Sequence, residues 1–208
     1  MDVGQVISRR LQEFETLGRT GRTTFDFRPF LDVTLRATLV TELLFCLSTA
    51  NSSAKAGILF QKSLEGVNPF ELSREDFEVL MRNAGVRFSP RKAEYAGRAL
   101  ENYELVERVM KTPSFRAREI LVRGIKGLGY KEASHFLRNV GRRDVAIIDR
   151  HVLKWMCKEG LTNHLKSVTP RRYVELENVL RREAEKRNVS LAELDLWVWY
   201  EVTGRVLK

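Results

Sequence analysis

Between Ile125 and Trp155 the chain gathers three chemically useful groups into one short unit. The run Ile125-Lys126-Gly127-Leu128-Gly129-Tyr130-Lys131-Glu132-Ala133 sets two glycines at the mouth of a helix and a lysine on that helix's first turn. Asp149 follows 18 residues after Lys131, behind the apolar pair Ile147-Ile148 and at the head of the next helix. Glycine permits positive φ and close approach of backbone. The N–H groups at a helix start, together with the helix dipole, attract phosphate. Gly127 and Gly129 therefore suit an anion grip, with Leu128 between them turned into the core. Lys131 offers a primary amine, a nucleophile once neutral. At its reference pKa of about 10.4 it is almost wholly protonated near neutral pH. Desolvation or a neighbouring cation such as Lys126 lowers that value, and phosphates raise it. Asp149 offers a carboxylate that can stabilise developing positive charge or move a proton.

Each part has a plainer reading when taken alone. Gly-x-Gly is also an ordinary helix–turn–helix corner. A lone lysine on a helix is most often solvated. Asp149 is placed to cap the helix over Arg150 to Met156. The capping and chemical readings of Asp149 are compatible.

Nearly all the segments that must position these groups read as helix. Val3, Val6, Ile7, Leu11, Phe14 and Leu17 recur at helical spacing. A loop is expected around Phe25-Asp26-Phe27-Arg28-Pro29-Phe30, then a strongly apolar helix over 33–48 and another over 53–64. Ser73 with Asp76, and Ser190 with Glu193, fit capping boxes. Ser89-Pro90, Thr112-Pro113 and Thr169-Pro170 fit helix starts, and Gly85 and Gly204 fit stops. Residues 144–148 are too short and isolated to imply a sheet. The expectation is an all-α protein of about ten helices, with no repeat, low-complexity tract or linker.

The 208 residues suffice for one domain or two small lobes. With 43% hydrophobic residues, disorder is not expected. The net charge of +9 favours a polyanionic partner, most commonly nucleic acid. Cys46 and Cys157 have neither metal-ligand nor disulfide spacing and read as packing residues. No signal segment precedes the first helix and no apolar run approaches the ~20 residues that span a bilayer. A cytoplasmic, nucleoid-associated protein without a membrane partner is expected.

The hairpin, Lys131 and Asp149 together resemble the helix-hairpin-helix DNA glycosylase superfamily, whose pattern is hairpin, lysine, helix, apolar residues, aspartate. Thr41-Glu42-Leu43-Leu44-Phe45-Cys46-Leu47-Ser48-Thr49-Ala50-Asn51 is similar to its early core helix and polar turn. Val86-Arg87-Phe88 and Arg91-Lys92-Ala93-Glu94-Tyr95 are similar to its central segment. The ending Trp197-Val198-Trp199-Tyr200-Glu201-Val202-Thr203-Gly204-Arg205-Val206-Leu207-Lys208 is most similar to the second-type, archaeal 8-oxoguanine DNA glycosylases. The resemblance covers roughly residues 35–208. It implies two helical lobes, 35–143 (with the hairpin at 124–133) and 1–34 plus 144–208, with the hairpin at their junction and the active site in the cleft. It also implies Lys131 as nucleophile, Asp149 as catalytic carboxylate, base flipping, Schiff-base formation and strand cleavage by β-elimination.

Within that resemblance Lys208 takes part in recognising the oxidised base, through its amine or a carboxylate. Trp199 is the expected stacking face, ahead of Trp197. Phe27 and Phe30 fit core packing better than the pocket. Asn51 matches the superfamily's gap-filling position. Arg87 and Phe88 precede a helix start on an expected DNA-facing loop, where Phe88 is suited to wedge between bases and Arg87 to meet the orphaned partner. Arg142-Arg143 lies near enough to the hairpin for phosphate contact. Arg171-Arg172, Arg181-Arg182 and Lys186-Arg187 are the other basic pairs, the last two expected on a solvated face. Cys157 alone in the C-terminal half leaves no iron–sulfur cluster, and His135, His151 and His164 form no ligand set, so no cofactor or catalytic metal is expected. The expected partner is duplex DNA containing oxidised guanine, met by a monomer. Two other readings remain: a lyase of the same superfamily acting on oxidised pyrimidines, and a non-catalytic DNA-binding module that uses only the hairpin.

Overall fold

The computed structural model describes residues 2–163 and 168–208; His164 lies outside the described residues. Eleven α-helices and one two-stranded sheet are present among them. Among the described residues no helix is long and apolar enough to cross a membrane.

Helix α1 (Val3–Thr20) is capped by Asp2, whose carboxylate accepts from the Gly4 N–H, and ends at Gly21 with φ 75°. The chain then departs from the helical expectation. Residues Arg22–Asp26 (β1) and Thr34–Thr38 (β2) form an antiparallel hairpin, with Arg22 opposite Thr38 and Asp26 opposite Thr34. The expected loop around Phe25 thus begins as a strand, and the helix expected over 33–48 begins only at Leu39. Thr34-Leu35-Arg36-Ala37-Thr38 buries Leu35 and Ala37 and exposes the residues between. That is a period of two, and a reading based on apolar content merged it with the helix behind it. Thr38 and Thr41 form a capping box that separates strand from helix α2 (Leu39–Thr49).

Helices α3 (Ala54–Ser63), α4 (Arg74–Asn83), α5 (Ser89–Glu101), α6 (Glu104–Met110) and α7 (Ser114–Gly124) follow. Ser73 and Asp76 cap α4 reciprocally. Then come α8 (Tyr130–Asn139), α9 (Arg150–Lys158), α10 (Pro170–Lys186) and α11 (Leu191–Thr203). Ser190 accepts from the Glu193 N–H, and Gly204 ends α11 with φ 70°. Between α8 and α9, residues 144–148 form neither helix nor strand.

Two apolar clusters form the interior. The larger joins α1, the hairpin, α2 through α8, and Ala192, Leu196, Val206 and Leu207. The smaller joins Ala146 and Ile148 to the inward faces of α9, α10 and α11. Helix α11 contributes to both, so the clusters meet along it. Phe27 is fully buried in the larger cluster, and Phe30 packs on Tyr200. Cys46 is buried there, and Cys157 is half-buried.

Helix α1 touches the end of α8 at Gly18, where an added Cβ would lie 2.0 Å from the Val140 carbonyl oxygen. Alanine would raise helix propensity by about 1 kcal/mol. A backbone oxygen cannot swing aside as a side chain can, and such overpacking typically costs about 1–3 kcal/mol. Gly18→Ala is therefore expected to lower the denaturant midpoint at unchanged m value; a midpoint at or above that of the native chain would contradict this packing.

Candidate active site

The hairpin is built by a sharp exit from α7 and a capped entry into α8. Leu128 donates its N–H to the Ile125 carbonyl (3.2 Å) and buries its side chain, worth about 1.5–3 kcal/mol. Gly127 has φ 97°, and a Cβ there would meet the Tyr95 ring at 2.5 Å. It is glycine for both reasons. Gly129 is extended and needs no special φ. Its N–H donates to Glu132 Oε2 (3.2 Å), and the other oxygen of Glu132 holds the Lys131 amine at 3.1 Å. One carboxylate on the first turn of α8 thus fixes both the hairpin and the amine.

Lys131 and Asp149 both line one cleft of about 1120 Å³. Asn51, Arg87, Gly129, His151, Trp199 and Leu207 share its walls. Asp149 caps α9, with one oxygen accepting from the N–H groups of His151 (2.8 Å) and Val152 (2.9 Å). The capping and cleft-facing readings of Asp149 therefore coexist. Trp199 lies edge-on to His151 at 5.3 Å, and its indole N–H is buried with no acceptor among the described residues. A flat apolar face with an unspent donor suits a planar polar guest. Trp197 instead packs against the larger cluster, near Gly4 and Tyr200.

The gap-filling candidates come together as a group. Asn51 takes a left-handed conformation (φ 54°) in the turn between α2 and α3, and Phe88 does so (φ 59°) ahead of α5. Phe88 is 57% exposed, with the Arg87 guanidinium 5.4 Å from its ring centre. The Ser52 hydroxyl accepts the Arg87 N–H (2.8 Å), joining the two turns.

Lys92 was not foreseen. Its amine donates to the Ser48 carbonyl (2.6 Å) and lies 3.0 Å from the Ser52 hydroxyl, pinning both turns to α2. Burial, and then the charge of Lys131, push its pKa down to about 8. Lys92 shares the buried stripe of α5 with Ser89, Ala93, Ala96 and Ala99. A lysine on the apolar face of a helix was the signal available in the sequence.

Two expectations are revised, for Lys208 in its amine and not in its carboxylate. The Lys208 amine, expected as a donor to the base, is fully buried against Glu42 (2.6 Å) and Gln61, over the rings of Phe25 and Phe45. Its positive charge answers a carboxylate in the core, and its neighbour Leu207 lines the cleft. Arg142 gives its guanidinium to the carbonyls of Met110 (2.8 Å) and Thr112 (3.2 Å) beyond α6, and Arg143 pairs with Glu15 (2.6 Å). Those partners replace the expected phosphate. Arg171 and Arg172 pair with Glu175, and Lys186 and Arg187 with Glu183. Arg181 donates to the Asp144 carbonyl (2.9 Å).

Residues 8–189 match the family described as 8-oxoguanine DNA glycosylase. An 8-oxoguanine DNA glycosylase/AP lyase of Aquifex aeolicus is 43% identical over 100% of this chain and 95% of its own. The Methanocaldococcus jannaschii protein of that name is 40% identical over 100% and 94%. A crystal structure of the latter organism's 8-oxoguanine glycosylase/lyase, in complex with a 15mer DNA containing 8-oxoguanine, superposes with a TM-score of 0.86 at 40% identity, covering 100% of this chain and 94% of that one. A hairpin, a lysine and an aspartate on one cleft, in a chain matched along its whole length by these relatives, place it in the 8-oxoguanine DNA glycosylase family.

Proposed function

We propose that this chain excises 8-oxoguanine from duplex DNA and then cuts the strand at the resulting abasic site. The observation that carries the reading is the placement of Lys131 and Asp149 in the lining of one cleft, each at the start of a helix. The relatives' names and the DNA-bound relative support the substrate class.

The damaged nucleotide has to leave the stack before its sugar can be reached. Asn51 and the Arg87-Phe88 turn are assigned to the space it vacates, and Trp199 to a face of the extruded base. Neutral Lys131 attacks the anomeric carbon, forming a C–N bond while the bond to the base breaks and the base leaves with the electron pair. The amine first has to exchange its contact with Glu132 for the sugar. Asp149 stabilises positive charge on the sugar ring as the base departs. The ring opens to an imine, loss of the C2′ proton expels the 3′-phosphate, and water releases Lys131. The hairpin N–H groups position the strand through phosphate and read no base. One chain carries both groups, so one copy per lesion suffices. The lobes at 35–143 and at 1–34 plus 144–208 would then grip the duplex across the cleft, and chromosomal DNA in the cytoplasm is where the enzyme is assigned to work.

Lys131→Gln is expected to lose both the borohydride-trapped adduct and strand cleavage on an 8-oxoguanine duplex, while duplex binding persists; strand cleavage at the native rate would remove Lys131 as nucleophile. Asp149→Asn is expected to slow single-turnover base removal by about 100-fold or more, the usual scale for removing one transition-state contact. Near-native turnover in that variant would reduce Asp149 to a helix cap. Faster trapping on thymine glycol than on 8-oxoguanine would move the substrate to oxidised pyrimidines, and no adduct on any lesion or abasic duplex would leave only a binding module.

A further inference from the structure

The segment from Val145 to Asp149 runs through a buried region in neither helix nor strand, with no strand beside it. The N–H groups of Ala146 through Asp149 nevertheless have acceptors, and three consecutive ones are side chains from two helices. Ala146 donates to Glu177 Oε1 (3.2 Å), Ile147 to Asp195 Oδ1 (3.1 Å) and Ile148 to the Tyr173 hydroxyl oxygen (3.1 Å). Tyr173 in turn donates to the Ala146 carbonyl (2.7 Å), bracketing the segment from both sides.

Two of those acceptors are tied to the helix that carries Lys131. Arg118 grips Glu177 through two bonds of 2.6 and 2.8 Å and also donates to Ser134 of α8 (3.0 Å). Arg138 of α8 pairs with Asp195. One buried ion pair from α7, itself bonded to Ser134 of α8, and one from α8 therefore hold the acceptors of Ala146 and Ile147, just before Asp149. A buried ion pair is a weak device for stability, because desolvation offsets the attraction. It is a strong device for geometry, because a carboxylate left unmatched is costly and each bond has a direction.

We infer that Tyr173, Glu177 and Asp195 are positioning residues that set where Asp149 stands relative to Lys131, acting only through that aspartate. The inference rests on the roles given above to Lys131 and Asp149. Misplacing a reacting group by about 1 Å can cost on the order of 100-fold in rate, so a loosened frame should appear in the chemical step before it appears in binding.

The test is a double-mutant cycle of Tyr173→Phe with Asp149→Asn, read as single-turnover removal of 8-oxoguanine alongside duplex affinity and thermal midpoint. Tyr173→Phe keeps the ring and removes only the hydroxyl. It is expected to slow base removal about tenfold to 100-fold at unchanged duplex affinity, and to have no further effect when Asp149→Asn is already present. Equal slowing in both backgrounds would overturn the inference, since a general loosening of the fold does not depend on Asp149. No slowing with native Asp149 would overturn it too. Asp195→Asn, which keeps an acceptor for Ile147 and loses the ion pair, runs the same cycle should Tyr173→Phe fail to fold. Near-native turnover by Asp149→Asn alone would instead overturn the role of Asp149, and this inference with it.

Discussion

A carboxylate in a dry interior has to be matched in charge and in hydrogen bonds, and Glu42 imposes that requirement at the centre of the molecule. It is fully buried on α2. Lys208 supplies the charge, Gln61 of α3 a bond to one oxygen (2.9 Å), and Asn139 of α8 a bond to the other (2.6 Å). Asn139 passes the network to Arg138 (2.9 Å), Arg138 to Asp195, and Asp195 to the backbone of Ile147. Two carboxylates and two cations balance along this path. Removing any one member would leave a buried charge unanswered, typically a loss of about 3–5 kcal/mol. The early core helix, the end of the chain and the approach to Asp149 are thereby held in one arrangement.

The cleft takes its shape from that frame and from the hairpin. Gly127 lets α7 and α8 close against Tyr95 and Leu47 with no room for a side chain. Glu132 then satisfies the hairpin backbone while restraining Lys131. In the same cleft Asp149 spends one oxygen on capping α9. Both catalytic candidates thus stand at helix starts, where the backbone supplies donors and positive potential. Such a place suits a phosphate-bearing strand. Lys92 adds a buried cation beside Lys131 while holding the turns of Asn51 and Arg87 together, so the amine, the gap-filling side chains and the floor of the cleft share one set of bonds.

Local chemistry made most helix limits legible. Ser73-Asp76, Ser89-Pro90, Thr169-Pro170 and Gly204 act within a few residues of themselves, and their effect does not depend on the rest of the chain. The hairpin and the capping role of Asp149 are local in the same way. The strand pair was missed because β2 is stabilised by its partner twelve residues back across the turn and by burial of Leu35 and Ala37. A strand that depends on pairing carries a weaker local signal than a helix. The partners of Arg142 and of the Lys208 amine were not legible for a related reason. A basic side chain looks solvent-facing until the carbonyls or carboxylate that claim it are known.

The sequence by itself determined a mostly helical chain, a glycine hairpin opening onto Lys131, an aspartate at the next helix start, and a surplus of positive charge. These follow from backbone preferences and spacing, which act over a few residues. Tertiary structure alone decided that Lys131 and Asp149 face one cleft, that the Asn51 and Arg87-Phe88 turns share a hydroxyl, and that Lys208 answers Glu42 from 166 positions away. It also decided that side chains of α10 and α11 take the place of a neighbouring strand beside Ala146, Ile147 and Ile148. Burial is the physical reason. Once water is excluded, each polar group must take whatever partner the packing brings near, and that partner is fixed by how distant segments meet rather than by the residues beside it in the chain.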